Sequence, residues 1–198
     1  MGARAKPPRQ DHYCLFDTAI GPCGVAWSER GLTRLQLPES DWAATEERLT
    51  AAANSSPEGP APAIAQVITE IQRYLEGRRV DFSTVAIDLR DISPFHRRVY
   101  EAARSVGWGQ TASYGELARR VGSAGAARAV GQALSRNPIA IIIPCHRILA
   151  SGNRVGGFSA FGGISAKQRL LSLEGVHIGA DAPLLSSLIP TRRRLEPA

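Results

Sequence analysis

The sequence predicts a mixed α/β (α+β) protein: a small N-terminal antiparallel sheet with helices, then a mainly helical C-terminal half. Short β-like runs separated by glycine-containing turns crowd residues 12–37. Beyond residue 93, helix-start signals recur and apolar residues fall at three- and four-residue spacing. The chain has 198 residues, 43% of them hydrophobic and 21% charged, which is ordinary globular composition with enough length for a real core.

Residues 1–11, rich in proline and charge, are predicted to be a disordered tail, and residues 12–89 a small α/β domain. Runs at residues 13–20, 22–28 and 32–37, joined by Gly21-Pro22 and Arg30-Gly31, predict an antiparallel meander. Ser40 is placed to cap a helix across residues 41–53, and residues 54–62 (NSSPEGPAP) read as a surface linker. Ile64, Val67, Ile68, Ile71, Tyr74 and Leu75 then follow helical spacing up to Gly77. Residues 80–89 read as a last strand. This half offers no recognisable site chemistry.

Residues 90–178 form the second predicted domain, and residues 179–198 a basic tail containing Arg192-Arg193-Arg194. Ser93-Pro94 starts a helix with proline at its first position, and Phe95, Val99, Ala102 and Val106 mark its buried face. Ser113 and Glu116 form a capping box opening a short helix to about Val121. A turn at residues 122–125 leads to a second short helix, residues 126–136, stopped by Asn137-Pro138. Two short helices around a glycine turn make a helix-turn-helix, a motif common with and without DNA. The second helix has small residues on every face and one projecting cation, Arg128. Two readings fit it: close packing against another helix, or deep backbone approach to DNA with the arginine entering the base stack.

Charge separates the halves. Residues 1–94 carry 10 basic and 13 acidic side chains, and residues 95–198 carry 14 and 5. All but two of the 24 basic residues are arginine. A basic C-terminal half points to a polyanionic partner, nucleic acid first. No apolar stretch reaches the roughly 18 residues that span a bilayer, so no membrane association is expected. The charged, proline-rich start has no apolar core like that of a secretory signal, and three cysteines imply no disulfide framework. A reducing, cytoplasmic location is the expectation.

The apolar run at residues 139–143 reads as a buried strand delivering Pro144-Cys145-His146-Arg147 at its end. A lone buried cysteine is commonly a small hydrophobe. With a histidine and an arginine beside it, Cys145 is also a candidate thiolate nucleophile. Neighbours in extended chain point apart, so His146 would need a water or a local turn to relay a proton. The glycine-rich stretch at residues 152–163 lacks the Lys-Ser/Thr ending of a phosphate loop but can bring backbone N–H groups close to a flat ligand. Ser165 and Gln168 read as a capping box for a helix ending at Glu174-Gly175, with Lys167, Leu170, Leu171 and Glu174 on one side. A surface acid is the ordinary reading of Glu174; meeting His146, it would orient and polarise the ring.

Taken together, Ala126-Ala127-Arg128-Ala129-Val130-Gly131, Asn137-Pro138, Pro144-Cys145-His146-Arg147-Ile148, the Phe158-Ser159 loop and Lys167 to Gly175 resemble the O6-alkylguanine–DNA alkyltransferases, also called methylated-DNA–protein-cysteine methyltransferases. The match is dense over residues 94–176 and thin before them. The resemblance implies a winged-helix-like DNA-binding and active-site domain, minor-groove binding, and a single irreversible transfer of the alkyl group to Cys145. It assigns Glu174 and His146 to a proton relay, Tyr114 to assisting the departing base, and Asn137 to the hinge beside the cysteine. It places Ser159, Phe158, Ile148 and Lys167 around the substrate. Arg128 takes the place of the extruded nucleotide, with Ala127, Ala129, Gly131 and Ser113 on the DNA face. Arg147 is expected to be a structural anchor. The implied partner is duplex DNA carrying O6-alkylguanine, read by a monomer without a cofactor.

Three features depart from the family pattern. Phe158 stands where tyrosine is common, the loop after Ser159 is longer than the commonest form, and Cys14 and Cys23 do not sit where some relatives hold zinc, so no metal is expected. Two further readings compete: a non-catalytic lesion-binding module, whose relatives lack the cysteine, and a cysteine hydrolase, which needs an oxyanion site and repeated turnover.

Overall fold

Alternating apolar residues and tight glycine turns fold the N-terminal segment into a meander of β1 (Asp11–Phe16), β2 (Cys23–Ser28) and β3 (Gly31–Gln36). The structure, a computed structural model, describes residues 11–51, 55–152 and 154–178. Most of the predicted N-terminal tail and the whole predicted basic tail lie outside these residues. Asp11, assigned to the tail, instead opens β1 and is buried, with Thr33 donating to its carboxylate at 2.7 Å. The β2–β3 turn needs Gly31: its φ is +134°, and a Cβ there would lie 2.5 Å from the Ala86 carbonyl oxygen.

The predicted linker contributes a fourth strand, β4 (Ser55–Pro57), parallel to β1, so the sheet order is β3-β2-β1-β4. Every residue of β2 is buried. Helix α1 (Trp42–Thr50) is capped by Asp41 rather than Ser40, the Asp41 carboxylate accepting from the Ala44 N–H at 2.8 Å. Helix α2 (Pro62–Leu75) starts on proline and buries Ile64, Ile68, Ile71, Tyr74 and Leu75. Each fully buried apolar side chain contributes on the order of 1.5–3 kcal/mol. Residues 80–89 are not the predicted strand. They touch β3 through one bridge, Leu32 to Ile87, while the Arg104 guanidinium occupies the carbonyls of Phe82, Ser83 and Val85 at 2.9–3.0 Å. Acceptors bound by an arginine fork are lost to a ladder.

In the C-terminal half, α3 (Pro94–Arg104) buries Val99, Tyr100 and Ala103, and the Tyr100 hydroxyl donates to the Ala133 carbonyl at 2.9 Å. Ser113 and Glu116 close the predicted capping box on α4 (Tyr114–Arg120), and the turn passes to α5 (Ala127–Ser135). Residues 139–143, predicted as a strand, form consecutive turns. Ile142 N–H bonds to Ala140, Ile143 N–H bonds to Ile139, and Ile141 takes a φ of +67°. A β-branched residue in that region costs on the order of 1–2 kcal/mol, offset here by burying Ile139, Ile141, Ile142 and Ile143. Continuous apolarity marked the segment as buried but carried no signal of its path.

A 3-10 turn at Cys145–Arg147 leads into β6 (Ile148–Leu149), which pairs in parallel with β5 (Ala112–Ser113). Helix α6 (Gly163–Leu173) begins on Gly162 and Gly163 two residues before Ser165, so the predicted Ser165–Gln168 capping box does not form and both side chains are exposed. One apolar core runs through both halves, including Val25, Leu35, Ile68 and Tyr74 from the first and Tyr100, Leu117, Ile139 and Ile148 from the second.

Candidate active site

The turns at residues 139–143 are held by one side chain. Asn137 accepts from the Ile139 N–H at 3.0 Å and donates to the Ile143 carbonyl at 2.8 Å. The same amide nitrogen donates to Cys145 Sγ at 3.2 Å. The residue before Pro138 therefore fixes both the entry to the turn and the sulfur. Cys145 is 8% exposed. The cavity behind the turn, lined by Pro144, Arg147, Arg104, Trp108 and others, does not take in Cys145.

Burial pushes the Cys145 thiol above its ordinary range, against the opposing pull of the Asn137 hydrogen bond and the Lys167 charge. The resting sulfur is thus a protonated thiol, where sequence context alone suggested a thiolate. Beside it, His146 is wholly buried and burial holds its pKa down, although Glu174 pulls the other way. The ring is neutral at rest, able to take a proton.

The 3-10 turn sends the two adjacent side chains to different places. His146 Nε2 lies 2.9 Å from Glu174 Oε1, while Nδ1 is buried with no hydrogen-bond partner among the described residues. Glu174, at the end of α6, is the hub. Arg147 donates to both its oxygens, with Nε to Oε2 and Nη2 to Oε1 each at 2.9 Å. The Gly109 N–H reaches Oε2 at 3.3 Å, and the Tyr74 hydroxyl reaches Oε1 at 2.7 Å. Burial alone would raise the Glu174 pKa, but hydrogen bonds from His146, Arg147 and Tyr74 hold it down to about 2. Arg147 also donates to the Val106 carbonyl at 2.6 Å, tying the carboxylate to the segment after α3. That is the anchoring geometry expected of it.

Lys167 is fully buried and does not reach toward an open site. Its Nζ donates to the carbonyls of Ile148 at 2.6 Å and Gly157 at 3.4 Å and sits 5.7 Å from the Tyr114 ring centroid. Burial lowers its pKa to about 8. Ile148, expected near substrate, is sealed in the core. Tyr114 stands at the start of α4 with Gly156 of the loop against its ring: a Cβ on Gly156 would lie 3.4 Å from the ring, at a φ of +71°. Phe158 packs against the core, Ser159 is exposed, and Phe161 beyond them is 58% exposed.

On α5 the outward face carries Arg128, exposed, with Ala127, Ala129 and Gly131 half-buried. A Cβ at Gly131 would meet only the Tyr114 ring, at 3.8 Å, an ordinary contact, so packing within the chain does not demand glycine there. Arg119, Arg120 and Arg136 are exposed nearby in sequence. Ser113 is occupied as the cap of α4. Among the described residues no cluster of three or more His, Cys, Asp or Glu is placed to hold a metal, and no helix is long and apolar enough to cross a membrane.

Tyr74, Gly109 and the bidentate grip of Arg147 on Glu174 are the parts sequence reasoning did not assign. Tyr74 sat on an apolar helical stripe, where its ring explained its presence and nothing flagged its hydroxyl.

Comparison with known proteins identifies the family. Residues 94–176 match the model of the 6-O-methylguanine DNA methyltransferase DNA-binding domain, and residues 12–89 that of the ribonuclease-like domain of 6-O-methylguanine DNA methyltransferase. The methylated-DNA–protein-cysteine methyltransferase of Mycobacterium bovis is 37% identical over 174 residues, covering 87% of this chain and 98% of the relative. That of Sulfolobus acidocaldarius is 37% identical over 168 residues, covering 85% and 96%. A crystal structure of Mycobacterium tuberculosis OGT in complex with DNA superposes with a TM-score of 0.70 at 37% identity, covering 82% of this chain and 92% of that one. This chain belongs to the methylated-DNA–protein-cysteine methyltransferase family.

Proposed function

We propose that the chain repairs duplex DNA carrying O6-alkylguanine, and less readily O4-alkylthymine, by moving the alkyl group onto Cys145 once per molecule. The observation that carries this reading is the sulfur held by Asn137 at 3.2 Å beside a fully buried His146–Glu174 couple whose Nδ1 has no hydrogen-bond partner among the described residues. Arg128, projecting from the small-residue face of α5, fills the space of the extruded nucleotide, and the exposed arginines of this half meet phosphate. Gly131, which internal packing does not require, lets the helix backbone approach the groove.

In the transfer the Cys145 proton passes through a water to His146 Nδ1, and Glu174 stabilises the imidazolium. Sulfur attacks the alkyl carbon, the S–C bond forms as the C–O6 bond breaks, and the electron pair leaves with guanine. The proton taken from sulfur ends on the departing base, assisted by the Tyr114 hydroxyl. Ser159 and Phe158 contact the base from the loop, while Lys167 acts behind it by holding Ile148 and Gly157 in place. The balance requires no cofactor. The protein acts as a monomer in the cytoplasm.

Mixing the protein with a duplex containing one O6-methylguanine, followed by peptide mass analysis, tests the reading. One methyl on the Cys145 peptide per molecule, with no second turnover, is expected. Lesion DNA left intact with Cys145 unmodified overturns it, and repeated turnover identifies a hydrolase instead.

A further inference from the structure

The N-terminal half reaches the reactive centre through Tyr74. Tyr74 Oη lies 2.7 Å from Glu174 Oε1 and 3.1 Å from His146 Nε2, with those two 2.9 Å from each other. We propose that Tyr74 is a positioning residue of the transfer site: its hydroxyl fixes the imidazole with hydrogen on Nε2, and sets the pH at which Nδ1 takes a proton. This rests on the relay reading of His146.

Proton placement follows from donor and acceptor inventory. Glu174 is ionised and only accepts, so the phenolic hydrogen goes to it. The lone pairs left on Oη, like those on Oε1, then face Nε2. A bare Nε2 would confront two acceptors, whereas Nε2–H satisfies both, which leaves the lone pair on Nδ1. The phenol also draws off part of the carboxylate charge that would otherwise favour imidazolium.

The groups facing His146 are Glu174 and Lys167 from α6, Arg147 and Cys145 from its own turn, and Tyr74 from α2. Glu174 is the sole anion among them, so its effective charge is the adjustable quantity. Tyr74 is fully buried, its ring set edge-on to Trp108 at 5.4 Å and Phe82 at 5.7 Å between centroids. The hydroxyl is therefore held in register. A tyrosine present only for packing would satisfy its hydroxyl on any carbonyl. This one meets the two relay members, 72 and 100 positions along the chain.

The test compares wild type, Tyr74→Phe and His146→Gln in single-turnover transfer from O6-methylguanine duplex between pH 5 and 9. Phenylalanine keeps the ring contacts and removes only the hydroxyl. With the carboxylate less shared, His146 becomes more basic, and the acid limb of the rate profile moves up by about half a unit. That is about a threefold loss on the limb and little change above it. His146→Gln is expected to lose the limb. A Tyr74→Phe profile superimposable on wild type, with the limb gone in His146→Gln, overturns the inference while sparing the relay. A limb that persists in His146→Gln overturns the relay and the inference with it.

Lower thermal stability of Tyr74→Phe alone would not move the limb. Independently of any variant, long-range 1H–15N imidazole spectra of the wild type are expected to show His146 protonated on Nε2 and bare on Nδ1. The opposite tautomer overturns the inference.

Discussion

Replacing Glu174 by glutamine tests the hub of the site through stability as well as chemistry. The carboxylate is fully buried and accepts from Arg147, His146, Tyr74 and Gly109. Its pKa is held at about 2, against an ordinary 4.5. A depressed carboxylate contributes stability that is present above its unfolded value and lost as pH falls through the folded one. At 1.36 kcal/mol per unit, Glu174 contributes about 3 kcal/mol at neutral pH, lost between about pH 5 and pH 2. Breaking a buried pair independently costs about 3–5 kcal/mol, because the remaining guanidinium is left uncompensated. Glutamine would also turn an amide N–H₂ toward donors. Urea unfolding of wild type and Glu174→Gln at pH 7, 5, 4 and 3 is the assay. The variant should be less stable by about 3 kcal/mol at pH 7, and the gap should close steadily on acidification. Asp88, also held low by Arg90 and Ser28, titrates in both proteins and cancels in the difference. A gap within about 0.5 kcal/mol at pH 7, or one independent of pH, refutes the reasoning.

Arg128→Ala should slow capture of lesion-bearing duplex by tenfold or more while changing unfolding stability by less than about 0.5 kcal/mol, since the side chain is exposed; stopped-flow transfer and urea melts together check this. Lys167→Met should loosen the loop it holds, read as faster amide exchange around Gly157. Because burial lowers the Lys167 pKa to about 8, the wild type should gain stability relative to that variant as pH rises from about 8 toward 10.5; equal pH dependence in denaturation would contradict this. Asn137→Ala removes the donor to sulfur and to the Ile143 carbonyl. Its Cys145 should react more slowly with iodoacetamide at pH 8, and stability should fall by about 1–3 kcal/mol. Unchanged alkylation would show that the amide does not tune the thiol.

The sequence carried some levels of this molecule well and others hardly at all. Local chemistry with one good solution was legible: the Ser113–Glu116 box, the Pro94 start and the meander turns are each satisfied within a few residues. Segments whose conformation is set by distant partners were not. Residues 80–89 lose their strand to Arg104, and residues 139–143 take turns pinned by Asn137. At the site, residue identity pointed to Cys145, His146 and Glu174, and the structure brings His146 and Glu174 into contact. Lys167 was legible as sharing the Glu174 side of α6 and was expected around the substrate, not as a strut for Ile148 and Gly157. Tyr74 was hidden because a helical stripe specifies a buried ring and says nothing of where its hydroxyl ends.

The directions of the three central pKa values constrain how the sulfur is activated. Were Cys145 low and His146 high, the site would rest as an ion pair, with a thiolate open to any electrophile that reached it. Burial drives both the other way, and the charge of Glu174 is spent on Arg147, Tyr74 and the ring's Nε2–H rather than on the sulfur. The resting pair is therefore neutral, and in the proposed transfer the thiol gives up its proton on the way to bond formation at carbon. In a protein whose nucleophile is consumed in one event, a standing thiolate would be lost to side reactions with no way back. Coupling deprotonation to a docked, polarised leaving group confines reactivity to the event that uses it. The same buried couple gives both properties: low reactivity in the free protein, and a base already aligned when the leaving group arrives.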